Sequence, residues 1–199
     1  MLTLYDFMGS GNGYKVRLLL AQLGTPYTLV ECDILKGETR TPEFLAKNPN
    51  GRIPTLQLED GTHLCESDAI LWYLAEGTGF APTDRIARAK TLQWMFFEQY
   101  SHEPNIAVAR FWALFDVTPP STADYELKMK AGRAALEAMD VHLTDRPYFV
   151  GERYTIADIA LYAYTHVAPE GGFELEPYPA IRAWLDRVAA QPGHVAITN

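Results

Sequence analysis

Short apolar runs alternate with amphipathic stretches over positions 1–77, and beyond them only helical spacing is found. Leu2–Asp6 reads as a strand. Val16, Leu19, Leu20 and Leu23 fall at i, i+3, i+4 and i+7, one face of a helix that stops at Gly24. Tyr27–Glu31 reads as a second strand. Thr41-Pro42-Glu43 opens a short helix with proline in its first turn. Positions 55–58 and 62–65, separated by Glu59-Asp60-Gly61, read as a hairpin. A helix over 67–76 closes the series, so the predicted order is βαβαββα.

Gly77-Thr78-Gly79-Phe80-Ala81-Pro82 reads as a linker. The expected domains are therefore 1–77 and 84–199, joined by 78–83. From Arg85 to about Phe115 the helical pattern is interrupted by Pro104, which kinks or splits it. Leu136, Met139 and Leu143 mark a helix from about Ser121. Thr155 and Asp158 form a capping-box pattern, a folding signal, with Tyr154 and Ile159 placed for a hydrophobic staple. Ile181, Trp184, Leu185 and Val188 form a last helical face between Pro179 and Pro192-Gly193. The expected architecture is a small α/β domain followed by an all-helical one.

At 199 residues and 48% apolar, the chain can bury a sizeable core in one or two domains. The net charge is −8 with no basic stripe, which argues against nucleic-acid binding. Cys32 and Cys65 lie apart, with no CxxC or Cys/His cluster, so neither a disulfide framework nor a zinc site is indicated. No signal-like start and no run of 18 apolar residues is seen, so a soluble cytoplasmic protein without membrane contact is expected.

Candidate chemistry centres on Asn48-Pro49-Asn50-Gly51-Arg52-Ile53-Pro54-Thr55-Leu56 and Glu66-Ser67-Asp68-Ala69-Ile70. Ile53 is biased to extended geometry by Pro54. A cis bond there would turn the Ile53 backbone outward, ready to pair with an extended ligand. Ser67 falls where a helix N-cap belongs, beside N–H groups that favour a carboxylate. Glu66 can meet an ammonium. Glutathione has a backbone-like middle, a carboxylate and an amine, and fits this set.

With Leu4-Tyr5-Asp6, Ser10-Gly11-Asn12-Gly13-Tyr14-Lys15-Val16-Arg17 and the later Gly151-Glu152-Arg153-Tyr154-Thr155-Ile156-Ala157-Asp158, the chain resembles a soluble bacterial glutathione S-transferase of the serine-type or nu-like kind. The resemblance spans essentially the whole length. It implies a thioredoxin-like N-terminal domain, an all-α C-terminal domain, a homodimer, glutathione as co-substrate and no metal.

Thioredoxin-like oxidoreductases place two thiols at the start of the first helix, where the helix terminus lowers a thiol pKa. Ser10-Gly11-Asn12-Gly13 stands there instead, so dithiol chemistry from this chain's own side chains is excluded at that place. The resemblance assigns Ser10 to the catalytic hydroxyl and Asn12 to a second group near the sulfur, leaving open which of them touches it. A free thiol has a pKa of about 8.5, and each unit of lowering is worth about 1.4 kcal/mol. A hydroxyl bond plus a helix dipole supplies on the order of 2 kcal/mol.

Arg52 or Lys36 is the resemblance's candidate for the glycyl carboxylate, with Ile53, Pro54, Glu66 and Ser67 as the other glutathione contacts. Tyr100-Ser101-His102-Glu103-Pro104-Asn105 is a polar stretch inside an aromatic-rich helix. By resemblance, Tyr100, His102 and Phe111 line the pocket for a small hydrophobic electrophile, with Met8 and Gly9 from the turn before Ser10. His102 is equally readable as a satisfied histidine at a helix kink. The implied activity is glutathione transfer in detoxification. The alternatives are a glutathione-dependent disulfide-bond reductase and a non-catalytic binding protein that has kept the fold.

Overall fold

The computed structural model describes all 199 residues. They form two compact units, Met1–Thr78 with Pro192–Asn199, and Gly79–Gln191. The last eight residues group with the first unit rather than with the helical one, where the sequence reading put them.

In the first unit, strands β1 (Leu2–Asp6), β2 (Tyr27–Glu31), β3 (Thr55–Gln57) and β4 (His63–Cys65) form one sheet in the order β2-β1-β3-β4. β1 runs parallel to β2 and antiparallel to β3, and β3 is antiparallel to β4. The register sets Leu4 opposite Leu29 and Leu56, and Leu56 opposite Leu64. This places alternate residues of each strand on one face. Helix α1 (Gly11–Leu23) lies between β1 and β2 in sequence. The short helix α2 (Pro42–Leu45) precedes β3, and α3 (Ser67–Ala75) follows β4. Leu4, Val16, Leu20, Leu56 and Ile70 are fully buried together, each worth about 2 kcal/mol of burial. Gly24 ends α1 with φ 64°, and the Thr25 N–H returns to the Leu20 carbonyl. Only glycine takes that left-handed turn without cost.

The second unit holds α4 (Arg85–Phe97), α5 (Glu103–Leu114), α6 (Thr122–Leu143), α7 (Ile156–Thr165) and α8 (Pro179–Ala189). Pro104 divides α4 from α5 as the sequence implied, but the break itself is a π turn over Glu98–His102. The wide turn absorbs the amide hydrogen bond that proline cannot make. The Thr155–Asp158 box is present at the start of α7. Asp158 is buried and accepts from the backbone N–H of Phe149 and Thr155 and from Trp184 Nε1, at 2.9–3.1 Å. Tyr154 sits against the rings of Phe80 and Tyr148. No helix is long and apolar enough to cross a membrane.

Candidate functional site

The turn between β1 and α1 is held from below by buried charge. Asp6 is fully buried, accepting from the Phe7 N–H at 2.7 Å and from Arg17 Nε at 2.9 Å. Burial pushes its carboxyl up to about 6, with Arg17 pulling the other way. Arg17 Nη2 donates to the Met8 carbonyl at 2.7 Å. Its Nη1 donates to the carbonyls of Ile197 and Asn199. The Met8 N–H is tied to Glu31 Oε1 at 2.9 Å. The backbone of the turn is thereby fixed at Phe7 and Met8, just before Ser10.

Ser10 is the N-cap of α1, in extended geometry, and its Oγ accepts from the Gly13 N–H at 3.4 Å. A capping hydroxyl accepts that bond and keeps its own proton to donate. It does so at the positive end of a 13-residue helix. A hydroxyl proton and a helix terminus together favour negative charge there.

Asn12, two residues along, reaches α3. Ser67 Oγ lies 3.3 Å from Asn12 Oδ1 and accepts from Lys15 Nζ at 3.2 Å. Lys15 is fully buried and pairs with Asp68 at 3.3 Å. Ser67 is the first residue of α3, and the cap position falls to Glu66, one residue earlier than the sequence suggested. Glu66 is exposed and holds φ 68°, a left-handed angle that non-glycine residues seldom adopt. Such an angle costs about 1–3 kcal/mol in a residue with a side chain.

The third side is the 48–55 loop. Asn48 Nδ2 donates to the Arg52 carbonyl and to Thr55 Oγ1, cross-bracing the turn. The Ile53–Pro54 bond is cis. Ile53 lies two residues before β3 begins and outside the sheet ladder. Arg52 is exposed. Lys36 is also exposed, but it is paired with Asp33 at 2.8 Å.

Ser10, Asn12, Glu66 and Ser67 thus lie together at the starts of α1 and α3. The electrophile candidates divide between the units. Met8 and Gly9 belong to the first, and Tyr100, His102 and Phe111 to the second. Tyr100 is 85% exposed. Phe111 is half-buried against Phe115. His102 is fully buried, with Nε2 2.9 Å from Thr165 Oγ1, which is the satisfied-histidine arrangement. Both tyrosines near the turn are engaged elsewhere, Tyr5 with Gln57 and Tyr14 with the Val195 carbonyl. Burial raises the thiol pKa of Cys32 and Cys65, which keeps both as poor nucleophiles.

Lys15, Arg17 and Asp6 were not singled out from sequence. The available signal was two cations, Lys15 and Arg17, beside and within the apolar run Val16–Leu20, where a buried charge has to be paired.

Two family models match the chain: glutathione S-transferase, N-terminal domain, over residues 1–76, and glutathione S-transferase, C-terminal domain, over 94–192. The crystal structure of a glutathione S-transferase from Pseudomonas fluorescens Pf-5 superposes with a TM-score of 0.97 at 53% identity, covering 100% of this chain and 99% of that one. The disulfide-bond oxidoreductase YfcG of Escherichia coli K12 is 33% identical over 96% of this chain and 92% of its own length. Ure2p, solved in complex with glutathione, is 25% identical with a TM-score of 0.87, covering 96% of this chain and 90% of that one.

Proposed function

The chain belongs to the glutathione S-transferase family, and on that premise we propose that it binds glutathione in its first unit and activates the thiol for attack on small hydrophobic electrophiles. The observation that carries the reading is the 3.3 Å contact of Ser67 with Asn12, which ties the start of α3 to the start of α1, the helix that Ser10 caps. The γ-glutamyl carboxylate is assigned to Ser67 and the first-turn N–H groups of α3. The γ-glutamyl ammonium is assigned to Glu66. The cysteinyl backbone is assigned to Ile53, which Pro54 and Asn48 hold in place. The glycyl carboxylate goes to Arg52 in preference to Lys36, because Lys36 already has Asp33 as a partner.

Ser10 donates to the glutathione sulfur, and Asn12 assists. The hydroxyl bond and the helix terminus favour thiolate over thiol, and the thiolate attacks the electrophilic carbon as the leaving group departs. In the helical unit, Tyr100 and Phe111 are the candidates for touching the electrophile. We place the protein in the cytoplasm as a detoxifying homodimer. Sedimentation equilibrium at micromolar concentration should give twice the 22.3 kDa chain mass.

Disulfide reduction is the second reading, supported by the relative named as a disulfide-bond oxidoreductase. With no thiol of its own at the turn, the chain would need glutathione to supply both sulfurs. Turnover of chlorodinitrobenzene against turnover of hydroxyethyl disulfide, each with glutathione, separates the two. Activity on the aryl halide supports transfer, and activity confined to the disulfide replaces that reading with reduction.

A further inference from the structure

The buried guanidinium of Arg17 joins three separate parts of the chain. Its Nε donates to Asp6 Oδ2 at 2.9 Å and its Nη2 to the Met8 carbonyl at 2.7 Å. Its Nη1 donates to the carbonyls of Ile197 and Asn199 at 2.8 and 2.6 Å. Three residues earlier on α1, the Tyr14 hydroxyl donates to the Val195 carbonyl at 2.7 Å. Gly193, with φ 73°, lies against the helix itself: a β-carbon there would come within 3.0 Å of Gln22 Cα and 3.2 Å of the Ala21 carbonyl. The segment Pro192–Asn199 is thus strapped along α1 by its backbone, while none of its own residues is buried. The chemistry above gives this strap no part.

A guanidinium is planar and rigid, so fixing two of its nitrogens fixes the direction of the third. The bond from Nε to Asp6 holds one point of the plane and leaves it able to tilt. The two carbonyls on Nη1 remove that tilt and aim Nη2 at the Met8 carbonyl. Met8 is held on its other side by Glu31, and the Ser10 N–H returns to the Phe7 carbonyl at 2.7 Å. Ser10 therefore takes its place from a turn whose carbonyl side rests on Arg17. We propose that Arg17 is a positioning residue for Ser10, and that the segment Pro192–Asn199 is the clamp that aims it. The proposal rests on the assignment of Ser10 to the glutathione sulfur made above. A hydrogen bond weakens steeply as its donor tilts away, so a loosened turn holds the thiolate less well. Ile53, Glu66 and Ser67 stand on other elements and keep their hold on the ligand. When the segment lifts, water can pair with Nη1, so what is lost is the aim of the guanidinium and not the pairing of its charge.

Three variants of the full chain test this. Gly193→Val sets a side chain against the backbone of α1 and lifts the strap without touching the turn. Tyr14→Phe removes the bond to Val195 and loosens it more gently. Arg17→Lys keeps a positive charge beside Asp6 but lacks the planar fork, so an effect there reads aim rather than charge. The first measurement is hydrogen exchange of the Phe7, Met8 and Ser10 amides without ligand, which should quicken by about tenfold in Gly193→Val while the β1–β3 ladder exchanges as in wild type. The second is the ultraviolet titration of thiolate with saturating glutathione, where the thiol pKa should rise by about half a unit, up to about threefold less thiolate at a fixed pH. Glutathione affinity by calorimetry should stay within about twofold of wild type, because its contacts lie elsewhere. If Gly193→Val fails to fold by its melting curve, Tyr14→Phe and Arg17→Lys carry the test. Faster exchange with an unchanged thiol titration overturns the positioning role and leaves the glutathione reading standing. Unchanged exchange in all the folded variants overturns the clamp. A wild-type chain that binds no glutathione overturns the glutathione reading and the positioning role together.

Discussion

A β-carbon built on Gly13 would overlap the carboxylate of Asp6. The first turn of α1 therefore packs directly on the buried Asp6–Arg17 pair, and no larger residue fits between them. That contact joins the end of β1, the start of α1 and the Met8 carbonyl into one rigid piece, on which Ser10 sits as the cap.

Gly13→Ala should accordingly cost about 2 kcal/mol or more, the usual penalty of overpacking a filled site. Asp6 would be pushed off Arg17, and the Met8 carbonyl would lose its anchor. A urea denaturation midpoint compared with wild type reads the loss. A variant as stable as wild type would show that the turn is looser than the geometry states.

The sheet strands and both domain classes were legible because their pattern is local. Leu2–Asp6 and Tyr27–Glu31 alternate within five residues, and Gly24 marks the end of α1 by itself. The buried charges were not legible, for a physical reason. The spacing of Val16, Leu19, Leu20 and Leu23 predicts one buried face, yet Lys15 and Arg17 are buried as well. What covers Arg17 arrives from far along the chain, through the carbonyls of Ile197 and Asn199. Lys15 is enclosed by Ser67 and Asp68, more than fifty positions away. The left-handed φ of Glu66 carries no sequence signal either, because the residue type argues against it. At the helix break, Pro104 announces an interruption, while the π turn before it ends on His102, whose partner Thr165 lies 63 positions away.

Asp158 offers a pH-linked test in the helical unit. Burial raises its carboxyl from 3.8 to about 6, against hydrogen bonds that pull it down. A carboxyl raised on folding binds more protons in the folded chain between those two values. Its contribution to stability therefore grows as pH falls from about 6 toward 4 and is lost as pH rises through 6. Asp158→Asn removes this titration and sets an amide among N–H donors, costing about 3 kcal/mol at neutral pH. Denaturant midpoints at pH 7 and pH 5 should show the gap between wild type and variant widening in acid. His142 and His194, whose pKa values burial lowers, shift stability the opposite way in both proteins and drop out of the comparison. A gap that narrows in acid would contradict the raised carboxyl.

Glu66 should show function and stability in opposition. Its left-handed angle costs about 1–3 kcal/mol in a residue with a side chain, and glycine escapes that cost while gaining freedom in the unfolded chain worth up to about 1 kcal/mol. Glu66→Gly is therefore expected to be about 1 kcal/mol more stable than wild type. The same change deletes the carboxylate assigned to the γ-glutamyl ammonium, and glutathione affinity should fall about tenfold. Melting and calorimetry on one preparation give both numbers. Unchanged affinity removes Glu66 from the ligand site.

Ser10 decides the mechanism. Its Oγ accepts from the Gly13 N–H, which leaves its proton to donate, and Asn12 is the other polar side chain at the same helix start. If Ser10 holds the sulfur, Ser10→Ala should raise the thiol pKa of bound glutathione by about one unit, a loss of about 1.4 kcal/mol of thiolate preference. Glutathione binding should stay nearly intact, since Ile53, Glu66 and Ser67 are untouched. The alanine also removes a helix cap, a loss of about 1 kcal/mol in stability, so folding is checked by melting alongside. Thiolate absorbance in the ultraviolet, titrated with saturating glutathione, reads the shift directly. Should Ser10→Ala leave both titration and turnover unchanged while Asn12→Ala abolishes them, Asn12 is the catalytic group. Should neither substitution matter, the N–H groups and dipole of α1 activate the thiol without either side chain.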